Sequence, residues 1–319
     1  MVVLILRSVK GHEQKNCFYC GSKIVCKNGI IKGVQRYLCR RCGKQFVGGE
    51  RLENENLWRE YTKGKQTYGQ LARRYGCSVR TIQRRLDKVE VGAIEKKVDG
   101  EPRRVVVVID TTYFGRAFGV LVILDAHAGE ILYRDFVRYE TNGLYAKGLN
   151  RLREQGYEIE AIVCDGRKGL LRLIENIPVQ MCQFHQVAIV TRYLTRNPKM
   201  LAGQELRSIT LRLAKTDRTN FIAELSRWFE KWEKFLGERT VNPETKKSFY
   251  THRRLRSAYR SLRTNLPWLF TFSDYPDLGI PNTTNSLDGL FSDLKNKLRC
   301  HNGLSKSRRM KFIDEFFKA

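Results

Sequence analysis

The sequence predicts a multi-domain chain in which two small N-terminal modules precede a larger α/β core interrupted by helices. Three observations lead there. Paired Cys-x-x-Cys motifs are confined to the first 50 residues, short amphipathic helical segments follow, and from residue 103 buried β runs alternate with helical stretches. The 319 residues, 42% hydrophobic, suffice for two or three domains. Lys and Arg outnumber Asp and Glu by 59 to 33, a formal net charge of +26. Such a balance points to a polyanion. The basic residues are spread through globular segments, so nucleic acid fits better than a membrane surface. No apolar stretch approaches the ~18 residues of a membrane span, and "VVLIL" at 2–6 lacks the basic lead of a signal segment. Nine cysteines, four of them in a metal-like spacing, favour a reducing compartment over a disulfide framework. The expectation is a cytoplasmic, nucleoid-associated protein.

Residues 1–50 carry "CFYC" at 17–20 and "CRRC" at 39–42, two knuckles separated by 18 residues. This is zinc-ribbon spacing: each short loop aims two thiolates at one tetrahedral ion. Cys17, Cys20, Cys39 and Cys42 are the predicted Zn²⁺ ligands, with Gly21 and Gly43 in the turns that follow and Cys26 outside the pattern.

Residues 51–90 read as three short helices. In "TYGQLARRYGCSVRTIQRRL" Thr67 suits a helix cap, Leu71, Ala72 and Tyr75 share a face, and Gly76 suits a turn. Ser78 caps a second helix with Val79, Ile82 and Leu86 inward. Arg80, Thr81, Gln83, Arg84 and Arg85 then point outward, able to reach base edges and phosphates. The pattern is a helix-turn-helix; an ordinary basic helical hairpin is the plainer alternative. Residues 91–102, polar with Gly and Pro, read as a linker.

The block at 103–198 opens on "RRVVVVIDTTYF", "FGVLVILDAH" and "EILYRDFVR", three strands with hairpin turns at Gly115 to Ala117 and Ala128 to Gly129. A helix over 143–156, a buried strand over 158–166, a short helix near Lys168 to Ile174, a strand over 179–185 and another helix follow. Three antiparallel strands, helix, strand, helix, strand is the order of the ribonuclease H-like fold, in which the first and fourth strands pair in parallel. Asp110 and Asp165 are expected at the C-termini of those two strands. A lone Asp there also suits a surface turn, but two adjacent carboxylates repel unless a cation neutralises them. Hard oxygen donors with room for water and phosphate suit Mg²⁺, or Mn²⁺ in its place. Asp125 and Asp135 are rivals: one heads a hairpin, the other faces solvent within a strand.

Residues 199–280 are helical and Trp-containing, and read as an all-helical insertion whose Phe221, Leu225, Trp228, Phe229 and Trp232 form its core. Residues 281–319 return to the core. In "NTTNSLDGLFSDLKNKLR" Asn282 or Thr284 suits a helix cap, and Leu287, Leu290, Leu294 and Leu298 form the inward stripe. Asp288, Lys295 and Arg299 fall within about 20° of one face, a third acid with phosphate contacts behind it. Asp293 is the weaker choice.

Together these residues resemble the DDE/D transposases of bacterial insertion sequences, in particular the mutator-like group. The likeness spans nearly the whole chain: zinc ribbon, helix-turn-helix, and a catalytic core split by helices. "VVVVIDTTYF" looks like that group's first catalytic strand, "AIVCDGRKGL" its second and "MCQFHQ" its Cys-x-x-His, here Cys182 and His185. Those two side chains are expected to support the active site or position DNA; a second zinc site would need ligands such as Cys300 and His301. The family usually places Glu where this sequence has Asp288, one methylene shorter. The resemblance implies a DNA transposase that binds terminal inverted repeats and performs metal-dependent strand cleavage and strand transfer. Double-stranded DNA, both element ends and target, would be its partner, and it would act as at least a dimer. The alternative is a catalytically inactive, transposase-derived DNA-binding regulator, which Asp288 in place of Glu favours.

Overall fold

The computed structural model describes residues 16–17, 19–31, 34–47, 53–64, 66–90, 98–167, 169–173, 176–301 and 304–318. The "VVLIL" segment, most of the linker and the end of the short helix at Ile174 lie outside the described residues. The chain forms two compact units, Met1–Val89 and Glu90–Ala319. Among the described residues no helix is long and apolar enough to cross a membrane.

The first unit opens on strands β1 (Val25–Ile31), β2 (Val34–Cys39) and β3 (Gln45–Val47), antiparallel in the order β1-β2-β3. Helices α1 (Asn54–Thr62), α2 (Tyr68–Arg74) and α3 (Val79–Asp87) follow. Thr67 caps α2 in a full capping box with Gln70, and Ser78 caps α3 through the amide of Thr81. Gly76, at φ +60°, turns the chain between them where a Cβ would be strained. Leu71, Ala72, Ile82 and Leu86 are buried as their spacing requires, but Val79 is 43% exposed. It stands in the first turn of α3, so the inward stripe begins at Ile82.

In the second unit β4 (Arg103–Phe114), β5 (Phe118–Asp125) and β6 (Ile131–Val137) form an antiparallel meander. After α4 (Asn142–Glu154) come β7 (Tyr157–Cys164), α5 (Leu170–Leu173) and β8 (Val179–Met181). The five strands make one sheet in the order β6-β5-β4-β7-β8, antiparallel up to β4 and parallel beyond it. Val105 to Ile109 are all buried because both faces of β4 are covered. At Gly148 of α4 a Cβ would meet Ile123 and Tyr133 at 2.9 Å, so only glycine allows the helix this close to the sheet.

The remaining elements are α6 (Gln183–Leu194), α7 (Leu201–Leu211), α8 (Arg218–Gly237), β9 (Arg239–Val241), β10 (Ser248–Tyr250), α9 (Arg253–Leu269), α10 (Thr271–Asp274), α11 (Asn285–Arg299) and α12 (Lys306–Phe316). Two expectations are corrected here. The strand expected to reach residue 185 stops at Met181, and α6 begins at Gln183. The apolar alternation of "VQMCQFH" suggested a strand, but Gln183 and Gln186 are needed on a helix. There they donate to the Leu269 carbonyl and the Ser261 hydroxyl of α9 and its end. The stretch at 199–280 is also not all-helical, since β9 and β10 pair as a small antiparallel hairpin rich in β-branched and aromatic residues.

That stretch shares one continuous apolar core with the sheet: Leu206, Phe221, Trp228, Leu255 and Leu262 pack in the same cluster as Val105, Ile162 and Met181. Phe221, Leu225 and Trp228 are buried and Phe229 and Trp232 partly so, as expected of a core stripe. The indoles also clamp α8 onto α7, Trp228 Nε1 donating to the Ala202 carbonyl and Trp232 Nε1 to Glu205.

Candidate metal centres and the acidic strand ends

The sulfur atoms of Cys17, Cys20, Cys39 and Cys42 all lie within 4.8 Å of one another. Cys17 and Cys42 are 3.6 Å apart, as are Cys20 and Cys39. A tetrahedral ion with Zn–S bonds of ~2.3 Å sets its sulfurs about 3.8 Å apart, so this donor set fits Zn²⁺. Burial raises the Cys39 thiol, but the amides of Cys42 and Arg41 outweigh it and pull the group down to about 6. Against the Lys44 amide, burial and the neighbouring sulfurs push Cys42 up to about 12, so that negative charge gathers on one sulfur of the set. Cys26 donates to the Leu38 carbonyl inside the ribbon sheet and takes no part.

On α3, Arg80 and Arg84 are exposed and Gln83 half-buried. Thr81 is engaged at the cap: its amide and hydroxyl both meet Ser78 Oγ, at 3.1 and 3.0 Å.

In the second unit the parallel register of β4 and β7 sets Val108 opposite Val163. Asp110 and Asp165, each two residues further on, therefore stand side by side. Asp165 follows the last residue of β7, as expected. Asp110 does not end its strand: β4 continues to Phe114, paired with β5, and Asp110 lies opposite Val122. The correction has a simple cause: β5 pairs with β4 as far as Phe114 opposite Phe118, and so keeps β4 extended after the parallel pairing with β7 stops at Val108. Each carboxylate accepts a nearby amide, Thr111 N at 2.8 Å and Arg167 N at 3.1 Å. The loop bearing Asp165 is further tied down by Arg167, which reaches Asn142 and both the carbonyl and carboxylate of Glu140.

The third strand end belongs to Cys182. β8 sets Met181 opposite Cys164, and Cys182 N donates to the Cys164 carbonyl at 2.8 Å. From there the segment before α11 is docked. Gln183 N donates to the Asn282 carbonyl at 3.0 Å, and Asn282 Nδ2 returns a bond to Gln183 Oε1 at 3.1 Å. Thr284, fully buried, occupies the N-cap position but makes no side-chain cap. Its amide lies 3.4 Å from Cys182 Sγ, and its hydroxyl lies between that sulfur (3.5 Å) and Asp288 Oδ2 (3.4 Å). Thr284, Asn282 and Gln183 are the residues sequence reasoning missed as supports of the site. The signal was present in "NTTN", a polar run leading into an amphipathic helix, of which Asn282, Thr283 and Thr284 are half-buried or buried.

The electrostatics tie these pieces together. Burial pushes Asp110 up to about 7, and the charges of Asp165 and Asp288 add to that rise, against the Thr111 amide and His185. His185 is pushed up to about 9, first by Cys182 beside it and then by Asp110 and Asp165, with burial opposing. Burial disfavours the Cys182 thiolate, yet contacts with His185 and Thr284 lower that thiol overall. The His185 Nδ1 is buried without a hydrogen-bond partner. Asp110, Asp165, Asp288 and His185 thus form one interacting set. It is looser than the thiol set: among the described residues only the four cysteines bring three or more ligand atoms all within 4.8 Å. A half-buried set of oxygen donors carrying excess negative charge suits a hard divalent cation.

The rival acids are accounted for elsewhere. Asp125 bonds Arg103 at 2.5 Å and caps the hairpin turn through the amides of His127 and Ala128, at the other end of the sheet. Asp135 pairs with Lys147, and Asp293 with Lys297 one turn along α11. The buried stripe of α11 is Leu287, Phe291 and Leu294, with Leu290 and Leu298 only half-buried. Lys295 is half-buried and Arg299 exposed, bonded to Asn296. Cys300 is exposed and His301 buried, and neither joins Cys182 and His185 in a metal-type cluster among the described residues.

No protein-family model matches the chain, and no curated protein matches it. Among solved structures, the chain is similar to one in a Drosophila P element transposase strand transfer complex. There the TM-score is 0.32 and the identity 14%, over 86% of this chain and 74% of that one. It is also similar to a chain in a simian T-cell lymphotropic virus intasome bound to the PP2A regulatory subunit B56 gamma. That match has a TM-score of 0.21 and 12% identity, over 65% of this chain and 68% of that one. Both likenesses are loose, and the functional reading rests on the acidic strand ends and the charge of the chain itself.

Proposed function

We propose that this chain is a DNA transposase whose Asp110, Asp165 and Asp288 hold divalent metal ions for strand cleavage and strand transfer. The observation that carries the reading is the parallel register of β4 and β7, which sets two carboxylates at one level while the acid of α11 adds its charge to theirs. We read the five-stranded sheet as ribonuclease H-like and α2–turn–α3 as a helix-turn-helix. Bound Mg²⁺ or Mn²⁺ would supply a polarised water or 3′-hydroxyl and stabilise the oxygen that leaves phosphorus. The protein's own part is to hold the donors. The backbone fixes Asp110 and Asp165, and the Asn282–Gln183 and Thr284–Cys182 contacts fix the start of α11 and so Asp288. Arg80, Gln83 and Arg84 would address the element's terminal repeats, with Thr81 holding the start of α3. Lys295 and Arg299, further along α11, would meet phosphates. Joining two ends in one complex implies at least a dimer. The four-cysteine site would hold one Zn²⁺ that folds the ribbon.

The test is cleavage of end-sequence DNA with Mg²⁺ or Mn²⁺. Asp110→Asn, Asp165→Asn and Asp288→Asn should each lower it about a thousandfold or more, without additivity, while DNA binding persists. Undiminished cleavage by Asp110→Asn or Asp165→Asn would refute the assignment. Loss with Asp293→Asn but not Asp288→Asn would move the third ligand to Asp293. A wild-type protein that binds the ends but never cuts them would favour the regulator reading, to which the shorter Asp288 also points.

A further inference from the structure

One feature of the second unit outside the acidic site is not used by the proposed chemistry. A groove of about 690 Å³ runs along α9, lined by Arg253, Arg256, Arg260 and Arg263 together with Phe229, Tyr250 and Tyr259. The arginines recur at intervals of three, four and three residues. At 100° per residue they fall within an arc of about 80°, spread over roughly 15 Å of helix. Such a stripe repels itself and is ordinarily relieved by acids. Here no carboxylate lines the groove, and among the described residues none of the four guanidinium groups is paired with one. The nearby Glu238 is turned to His252.

Rings and guanidinium groups alternate along the wall. Arg256 lies 3.6 Å and Arg239 4.7 Å from the centre of the Tyr250 ring, Arg253 lies 4.0 Å from Phe249, and Phe229 stacks on Tyr259 at 4.9 Å. Tyr250 remains 38% exposed. Arg256 also donates to the Leu236 carbonyl and Arg263 to the Tyr259 hydroxyl, which orients these guanidinium groups without neutralising them. Arginine guanidinium planes and aromatic rings are the two surfaces on which unpaired bases stack, and cations without acid partners in a groove track a phosphate backbone. Duplex DNA buries its base faces and has no use for such surfaces.

We propose that this groove binds an unpaired stretch of a DNA strand, with its phosphates on the α9 arginines and its bases against Tyr250, Tyr259 and the guanidinium planes. The 15 Å span of the stripe is longer than one nucleotide needs, which favours a strand over a free nucleotide. The site is separate from the acidic strand ends and does not depend on their catalysing anything.

The experiment uses the full chain without divalent ions, so failure of the catalytic reading leaves it unaffected. A labelled oligothymidine of about 12 nucleotides, the site size of a single-strand groove, is titrated in the presence of excess unlabelled random duplex. Arg253→Glu combined with Arg260→Glu should weaken oligothymidine binding at least tenfold and duplex binding less than twofold. Tyr250→Ala should weaken the oligonucleotide several-fold, and Arg260→Lys, which keeps the charge but not the stacking plane, should lose less than Arg260→Glu. Photocrosslinks from 5-iododeoxyuridine in the oligonucleotide should map to residues 249–263. Equal losses on single-stranded and duplex DNA, no loss with the double variant, or crosslinks confined to other segments would overturn the proposal. Displacement of the oligonucleotide by ATP or GTP at equal nucleotide concentration would also overturn it, in favour of a free-nucleotide site.

Discussion

The four thiols of the first unit and the three carboxylates of the second contrast in how closely the fold brings like groups together. The sulfurs are already packed within 4.8 Å of one another. Two tight turns and three short strands hold them there. The carboxylates come from β4, the end of β7 and α11, elements separated by long stretches of chain. They stay further apart and share their strain as a raised Asp110 and a raised His185. Like charges in a half-buried site repel, and a cation shared between them would relieve that repulsion. On the proposed function, the thiol site would be held together by its ion, whereas the acidic site would be assembled by the fold and then take one.

The sharpest way to break that contrast is to remove each metal in turn. Purified protein should contain about one zinc per chain, and Cys39→Ser should release it and unfold the ribbon. Structural zinc in small modules contributes about 10 kcal/mol or more, so the loss should be visible as proteolysis of the first unit. Removing Mg²⁺ should by contrast leave the second unit folded, measured by circular dichroism and melting. Protein purified without chelators that contains no zinc would end the ribbon assignment.

Next in size is a pH effect specific to the acids. Asp110 holds its proton up to about 7 in the folded state, against 3.8 for a free carboxyl. The folded state then binds more protons than the unfolded one between those values, so metal-free stability should fall as pH rises from about 4 to about 7. At 1.36 kcal/mol per unit the contribution is at most ~4 kcal/mol. His185, raised above its usual 6.5, adds a decline of the same sign between about 6.5 and 9. Asp110→Asn should flatten the lower part of this profile, and Mg²⁺ should stabilise the wild type more at pH 8 than at pH 5. A metal-free melting temperature that rises steadily from pH 4 to pH 7, unchanged by Asp110→Asn, would contradict the account.

Smaller, and aimed at the third acid, is Asp288→Glu. Thr284 and Cys182 hold this helix start for the shorter side chain. The longer one should lower cleavage by roughly tenfold, about 1.4 kcal/mol in the barrier. A rise in activity would instead mark a decayed enzyme. Of comparable size, but in binding and not in cleavage, Arg80→Ala or Gln83→Ala should cost about 1–3 kcal/mol on the element's ends and less on random DNA, and Arg299→Ala should weaken both alike and flatten the salt dependence. Equal losses on both DNAs for Arg80 and Gln83 would show that α3 does not read sequence.

Much of this was legible in the residues because it is local. The knuckle spacing, the caps Thr67 and Ser78, the buried run Val105 to Ile109 and the strand preceding Asp165 depend on neighbours in sequence, and each lies where its pattern required. Errors came where a distant partner outvoted local preference. Cys182 reads as a strand residue until α9 presents the carbonyl and hydroxyl that Gln183 and Gln186 meet from a helix. Thr284 reads as a cap until a sulfur from another strand end lies beside it. Sequence by itself thus determined which residue types could carry metal chemistry and DNA contact in this protein, since ligand chemistry and short-range periodicity are written in consecutive residues. Tertiary structure decided which of six plausible carboxylates meet. Asp125, Asp135 and Asp293 are matched to Arg103, Lys147 and Lys297, while Asp110 and Asp165 share a level only because β4 and β7 pair in parallel with Val108 opposite Val163. Register between strands more than forty residues apart is set by packing on both faces of the sheet, which no local pattern encodes.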